Sequence, residues 1–334
     1  MPGTDPRLIA GMAAGPLGLG CMSLSHAYGV PPPPHEGVAL LQRALDLGVR
    51  HFDTAALYGF GSNEMLLGRA LAPHRSRIFL ASKCGLTGVD GRRVLDGRPQ
   101  TLRRTCLESL ARLQTEVIDL YYLHRWDRKV PIEDSVGALA EMVAAGHIRA
   151  IGLCEVSAAT LRRAHAVHPI AAVQSEYSLW TRNPEVAVLD ECRRIGAALV
   201  AFSPLTRGFV TGAVSDPSAL TASDLRRDMP RFTEPNFTAN ARLLAAYSAL
   251  AREADCTPAQ LALAWLLHKA PHVIPIPGTT SVEHLKDNLG AAGVRLERGL
   301  IARLEALINP ATVTGARYNA AAQGDIDTEE LSAA

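Results

Sequence analysis

The sequence predicts an α/β protein built on one closed parallel sheet, a (β/α)8 TIM barrel, and three observations carry that expectation. Short apolar runs alternate with longer amphipathic segments along most of the chain, the pattern of repeated strand–helix units. Eight such runs can be counted, the number with which this kind of barrel closes. Four reactive side chains, Asp53, Tyr58, Lys83 and His124, fall at or just past the ends of three of the runs. Parallel strands bring their carboxyl ends to one rim, and on that rim such barrels do their chemistry.

In chain order the candidate strands are 17–21, 50–53, 78–83, 117–123, 150–153, 171–174, 197–202 and 273–276. Helical periodicity is expected over 38–47, 102–113, 136–145, 160–166 and 186–195. Start signals support several helices: Asn183 before Pro184, a capping box from Thr257 to Gln260, and a second from Thr280 to Glu283. After the seventh strand the rhythm breaks. Residues 206–236 are rich in Gly, Pro, Asp and Ser and read as a long loop, a kind that often covers ligands. Two amphipathic helices, 242–254 and 258–268, then precede the last strand. A final helix near 300–308 leads to a tail that either folds over the rim or hangs free.

At 334 residues the chain is long for one domain, yet one barrel commonly reaches this length. A single domain over 1–334 is expected, with its core at about 15–310 and a tail at 311–334. Hydrophobic content of 48% with 20% charge describes a globular protein with a large core. A formal charge of +1 gives no electrostatic reason to expect nucleic acid or an anionic membrane as partner. The six scattered cysteines, with no C-x-x-C pair, read as reduced thiols rather than a metal site, and no leader or membrane-spanning run is evident, so a cytoplasmic location is expected. Gly18-Leu19-Gly20-Cys21-Met22-Ser23 approaches the glycine fingerprint of doubly wound nucleotide folds. However, Ser23 replaces the third glycine and Pro31–Pro34 lie where the phosphate-binding helix should run.

Phe52-Asp53-Thr54-Ala55-Ala56-Leu57-Tyr58-Gly59, Ser82-Lys83, Leu123-His124-Arg125 and Ser203-Pro204-Leu205 together resemble the aldo-keto reductases, in that family's order. Gly18-Leu19-Gly20-Cys21-Met22, Ser62-Asn63-Glu64, Gln174 and Ile276-Pro277-Gly278-Thr279-Thr280 add to the match, which runs from about Leu17 to Leu289 and looks most like the bacterial branch. The resemblance implies reduction of an aldehyde or ketone with NADP(H), with NAD(H) as a second candidate cofactor, a small carbonyl compound as partner, and a homo-oligomer left open.

The four residues suit that chemistry. A phenol is a weak acid at neutral pH, so an ammonium such as Lys83 beside Tyr58 would ease proton release, and Asp53 would keep the amine charged and oriented. His124 would offer a second donor to the growing oxyanion. Alone, each has a plainer reading: Asp53 as a turn cap, Tyr58 as a rim aromatic, Asp53–Lys83 as a structural ion pair, His124 as a bonded loop residue. Their coincidence on adjacent strand ends favours the functional reading.

For the cofactor, the resemblance implies Gly20, Cys21, Met22, Asp53, Cys154, Gln174, Phe202, Ser203, Leu205, Arg207, Ile276, Gly278, Thr279, Thr280, His284, Asp287 and Asn288. Phe202 would stack on the nicotinamide, Gln174 would bond its carboxamide, and Ser203 and Leu205 would meet the pyrophosphate. The helix after Thr280 would present free N–H groups to the 2'-phosphate. Two departures stand out. Ser281 occupies a place where relatives often carry Lys or Arg, with His284 and Lys286 as partial substitutes, so NADPH preference with reduced discrimination is expected. Cys154 and Glu155 stand where Ser and Asn are usual, which suggests that Glu155 faces the carboxamide or turns to solvent. Tyr28, Leu57, Trp126 and Trp180 are candidates for an apolar substrate wall. The alternative function is a cofactor-binding regulatory subunit with vestigial reduction; glycoside cleavage by Asp53 and Glu155 leaves Tyr58 and Lys83 unexplained.

Overall fold

The computed structural model describes residues 7–331, and all eight expected strands are present and parallel. They are β1 (Leu19–Gly20), β2 (His51–Asp53), β3 (Phe79–Cys84), β4 (Ile118–Leu123), β5 (Ile148–Cys154), β6 (Ile170–Glu176), β7 (Ala198–Phe202) and β8 (Val273–Pro275). They pair in chain order, and the sheet closes where Gly18 and Gly20 donate to the carbonyls of Pro275 and Pro277 and Gly20 bridges Gly278. That seam needs glycine. A Cβ on Gly20 would lie 2.9 Å from the Ile276 carbonyl oxygen, and one on Gly278 would lie 2.9 Å from that of Gly20.

Strand alternation sorts the side chains into two cores. Phe52, Leu80, Tyr121, Ile151, Val173 and Leu199 point outward and pack under the helices. Phe79, Ala81, Leu120, Tyr122, Ala150, Ala172, Val200 and Ile274 point inward and fill the barrel. The inward register continues upward through Asp53, Lys83, Cys154, Gln174 and Phe202, so the parity that places Phe79 inside also brings Lys83 to the centre. A hairpin before the first strand, Leu8–Ile9 with Met12–Ala13, joins the inner core through Ile9 and Ala14. Arg7 ties it down by donating to the carbonyls of Leu267, Ala270 and Val273.

The wrapping helices are α1 (Pro34–Asp46), α2 (Ser62–Leu71), α3 (Pro99–Leu113), α4 (Ile132–Ala144), α5 (Ala158–Val167) and α6 (Val188–Ile195). After β7 come α7 (Asn236–Ala241), α8 (Leu244–Glu253) and α9 (Pro258–Lys269), and after β8 come α10 (Val282–Gly290), α11 (Arg298–Leu307) and the short α12 (Ala320–Gln323). The Thr257 capping box forms as expected. Two other start signals shift. Asn183 lies inside a separate 3-10 turn and caps nothing, so α6 begins only at Val188. Ser281 rather than Thr280 caps α10, accepting from the His284 N–H. Helix α9, expected to be amphipathic, is buried almost all round because α8, α10 and β8 all pack on it. The 206–236 segment holds only short 3-10 turns, pinned by Trp180, Phe209, Phe232 and Phe237, whose rings interlock at centroid distances of 4.7–6.5 Å. No helix among the described residues is long and apolar enough to cross a membrane.

One inward residue carries a pH liability. His51 is fully buried, neither ring nitrogen has a hydrogen-bond partner, and it packs edge-on to Phe79 at 5.1 Å. Burial depresses its pKa to about 4. Because the folded value lies below the unfolded one, the unfolded chain takes up the proton first. Stability is therefore full above pH 6.5 and falls as the pH drops toward 4, by on the order of 3 kcal/mol at 1.36 kcal/mol per unit. Urea titrations across this interval should show His51→Gln with a shallower slope; an unchanged slope would assign the acid sensitivity elsewhere.

Candidate active site

The carboxyl ends of the strands open into a cavity of about 1380 Å³. At its floor the structure brings Asp53, Tyr58, Lys83 and His124 together. Lys83 leaves β3 pointing inward, wholly buried, and its three ammonium protons meet three acceptors: the Asp53 carboxylate, the Thr54 carbonyl at 2.8 Å and the Tyr58 hydroxyl at 3.3 Å. Asp53 uses its second oxygen to accept from Gln174 Nε2 at 2.7 Å. Tyr58 stands on a 3-10 turn beyond β2, its ring between those of His26 and His124, with centroids 5.4 and 5.9 Å away. Asn63 braces this turn by accepting from Thr54 and donating to the Cys21 carbonyl. Glu64 holds Ser82, the neighbour of Lys83, and is itself held by Arg112.

The electrostatics correct one expectation. Burial alone would depress the Lys83 ammonium, but Asp53 and Tyr58 outweigh it and hold the group above its ordinary range, so it stays charged. Burial pushes the Tyr58 phenol up to about 12, and the opposing pull of Lys83 does not offset it. The ammonium is legible in the residue types, whereas the desolvation arises from packing. At neutral pH the phenol holds its proton beside a fixed positive charge. Burial, then Arg125 and Lys83, push His124 well below its ordinary value, so the imidazole is neutral. Its Nδ1 is sealed without a partner, which leaves the other ring nitrogen free to meet a ligand.

Across the cavity Gly20, Cys21, Met22, Gln174, Phe202, Ser203, Leu205, Arg207, Ile276, Gly278, Thr279, Thr280, His284, Asp287 and Asn288 all line the wall. Cys154 does not. It points inward but is covered within the barrel's inner core, and burial pushes its thiol up to about 12. Glu155 faces neither the cavity nor solvent. It turns back, with left-handed φ of 54°, to accept from the Glu176 N–H and to pair with Arg317. Ser203, Thr206 and Arg207 also have positive φ, of 50°, 51° and 58°, a concentration of backbone strain typical of ligand-binding loops. Tyr28 and Leu57 line the cavity, whereas Trp126 and Trp180 do not; Trp180 is instead stacked on Phe209.

Of the two courses expected for the tail, the structure shows it folded back over the rim, with Tyr318, Asn319 and Ala322, which no motif singles out, lining the cavity. Arg317 anchors it, pairing with both Glu155 and Glu176, while Tyr318 accepts from Arg207 at 3.1 Å. Asp327 and Glu329 then accept from the N–H groups of Ser157 and Ala158 at the start of α5, where a helix end favours negative charge. These pairings join residues more than a hundred positions apart and leave no local pattern to read. His26 and Arg93 also line the wall.

A closed parallel barrel with a buried lysine, carboxylate and phenol beneath one deep rim cavity defines a class of rim-acting barrel enzymes. The chain belongs to the aldo/keto reductase family, whose model matches residues 16–309. It is 41% identical over 311 residues to "Probable aldo-keto reductase 1" of Glycine max, covering 92% of this chain and 89% of that one. Among solved structures it resembles the glycerol dehydrogenase AKR11B4 of Gluconobacter oxydans, with 30% identity, a TM-score of 0.82 and coverage of 92% and 96%. It also resembles a thermostable aldo-keto reductase in complex with the inhibitor epalrestat, with 30% identity, a TM-score of 0.73 and coverage of 91% and 100%. The family supports an oxidoreductase acting on carbonyl groups.

Proposed function

We propose that the protein is an NADPH-dependent reductase of aldehydes or ketones, with Tyr58 as the proton donor. The observation that carries this is the Lys83 ammonium, its protons shared between the Asp53 carboxylate, the Thr54 carbonyl and the Tyr58 hydroxyl at the floor of an open cavity. The opposite wall suits a dinucleotide: the nine-residue helix α10 directs its N-terminus toward it, and Thr279, Thr280 and His284 line the cavity there. Phe202 offers a flat face and Gln174 a carboxamide toward the floor. When bound, the cofactor supplies the hydride.

The chain's own residues manage the proton. Tyr58 is protonated at neutral pH and gives up its Oη proton as negative charge develops on the carbonyl oxygen; Lys83 stabilises the phenolate left behind, and Asp53 keeps Lys83 charged. Neutral His124 donates to the same oxygen. The direct test is oxidation of NADPH in the presence of generic aldehydes. If the cofactor binds but no aldehyde or ketone is turned over, the regulatory-subunit reading takes its place.

Cofactor choice follows from α10. The cap at Ser281 is a neutral hydroxyl, and no Lys or Arg of this turn lines the cavity. Selectivity for NADPH over NADH is therefore expected to be modest. Ser281→Arg should raise the NADPH:NADH ratio of kcat/KM about tenfold, the worth of one charge-assisted hydrogen bond. An unchanged ratio would remove the 2'-phosphate from this helix end.

A further inference from the structure

The cavity is lined by a cation that no carboxylate among the described residues pairs with. Four arginines line it, and three are matched: Arg93 with Asp325 at 2.5 Å, Arg207 with Glu176 at 2.8 Å and Arg226 with Asp224 at 2.6 Å. Among the described residues Arg125 has no carboxylate within 4.0 Å, and the other cavity acids, Asp53, Asp228 and Asp287, are beyond that reach as well. Arg125 makes one hydrogen bond, from Nη1 to the carbonyl oxygen of His124 at 2.6 Å, and its buried Nε has no partner. A guanidinium that lines a cavity without a carboxylate partner has the charge and fork geometry to receive an oxyanion there.

Its position separates it from the dinucleotide wall. Arg125 follows β4, while Ser203, Leu205 and the 276–280 segment follow β7 and β8, on the far side of the closed sheet. It adjoins His124, and its charge, with that of Lys83, helps keep that imidazole neutral. The cavity volume leaves room for a group several bonds from the reacting carbon.

We propose that Arg125 is a specificity-determining residue that grips an oxyanion, a carboxylate or a phosphate ester, carried by the carbonyl substrate. This rests on the reductase reading above and deepens it: the favoured substrates are aldehydes or ketones with an acidic group a few carbons from the carbonyl. A neutral substrate leaves the guanidinium half desolvated with no counter-charge, which supplies discrimination as well as attraction.

Matched pairs test it: succinic semialdehyde against butanal for carboxylate, and glyceraldehyde 3-phosphate against glyceraldehyde for phosphate. In the native enzyme kcat/KM for at least one anionic member should exceed its neutral partner about tenfold or more, and the arm that shows it identifies the oxyanion. Arg125→Met should bring that ratio near one, and Arg125→Lys should restore part of it as a point charge without the fork. Turnover of all four with no anionic preference, or a preference that survives in Arg125→Met, sinks the inference and leaves the reductase reading intact. If no carbonyl compound is reduced, that reading fails, and tryptophan fluorescence titrated with succinate and with inorganic phosphate decides the site on its own. Saturable binding lost in Arg125→Met supports it, and no difference between native protein and variant overturns it.

Discussion

Tyr58→Phe is expected to lower carbonyl reduction about a hundred- to ten-thousandfold, the usual range for removing a positioned general acid, while NADPH still binds. The substitution is conservative where it must be. The ring stays between His26 and His124, and Lys83 keeps Asp53 and the Thr54 carbonyl as acceptors, so the fold should be nearly unaffected. Cofactor affinity by fluorescence titration and the melting temperature serve as controls. A variant retaining a third or more of the native kcat/KM would remove Tyr58 as proton donor. One that loses cofactor binding would instead mark it as a binding residue. The low acidity of the buried phenol adds a second expectation: the reductive rate should not fall off between pH 6 and 9 through ionisation of Tyr58, because that group titrates at about 12.

Arg317→Met should destabilise the protein by about 3–5 kcal/mol, the range for removing one partner from a buried ion pair. Arg317 is almost completely buried, between Glu155 and Glu176. Without it Glu155 is left buried with no cation, and Glu176 keeps Arg207. Two readouts separate this from loose packing. Burial pushes Glu176 up, but Arg207, Arg317 and Arg231 outweigh it and hold the carboxylate at about 2. A depressed native value means that this stabilisation is present above the ordinary carboxylate range and is lost as pH falls toward 2. Removing Arg317 should therefore move the acid-unfolding midpoint upward. Because Tyr318 and Asn319 line the cavity, KM should also rise with kcat less affected. A loss below about 1 kcal/mol in urea titrations, with an unmoved acid midpoint, would show that the tail is held by other contacts.

The barrel was readable because two periods repeat along the chain, and strand parity alone decides that Lys83 and Asp53 share the interior with Phe79. The four floor residues were readable because each lies at or just past the end of a strand and so reaches the same rim. Other features obey no period. Its place in the sequence points Glu155 toward the cofactor or solvent, yet its left-handed turn and a tail arginine 162 positions away direct it elsewhere. As an aromatic residue Trp180 suits a substrate wall, but Phe209 and Phe232, from a segment without periodicity, capture its ring. The Tyr58 phenol went the other way from expectation because desolvation depends on packing that residue types do not declare.

The hairpin at residues 8–13, seated in the lower end of the barrel and fastened by Arg7, has a consequence for traffic. With that end covered and the interior filled by side chains, the floor residues are reached from the rim cavity. On the proposed reading, cofactor and product would share that entrance, and the segments framing it would bear on how each one leaves.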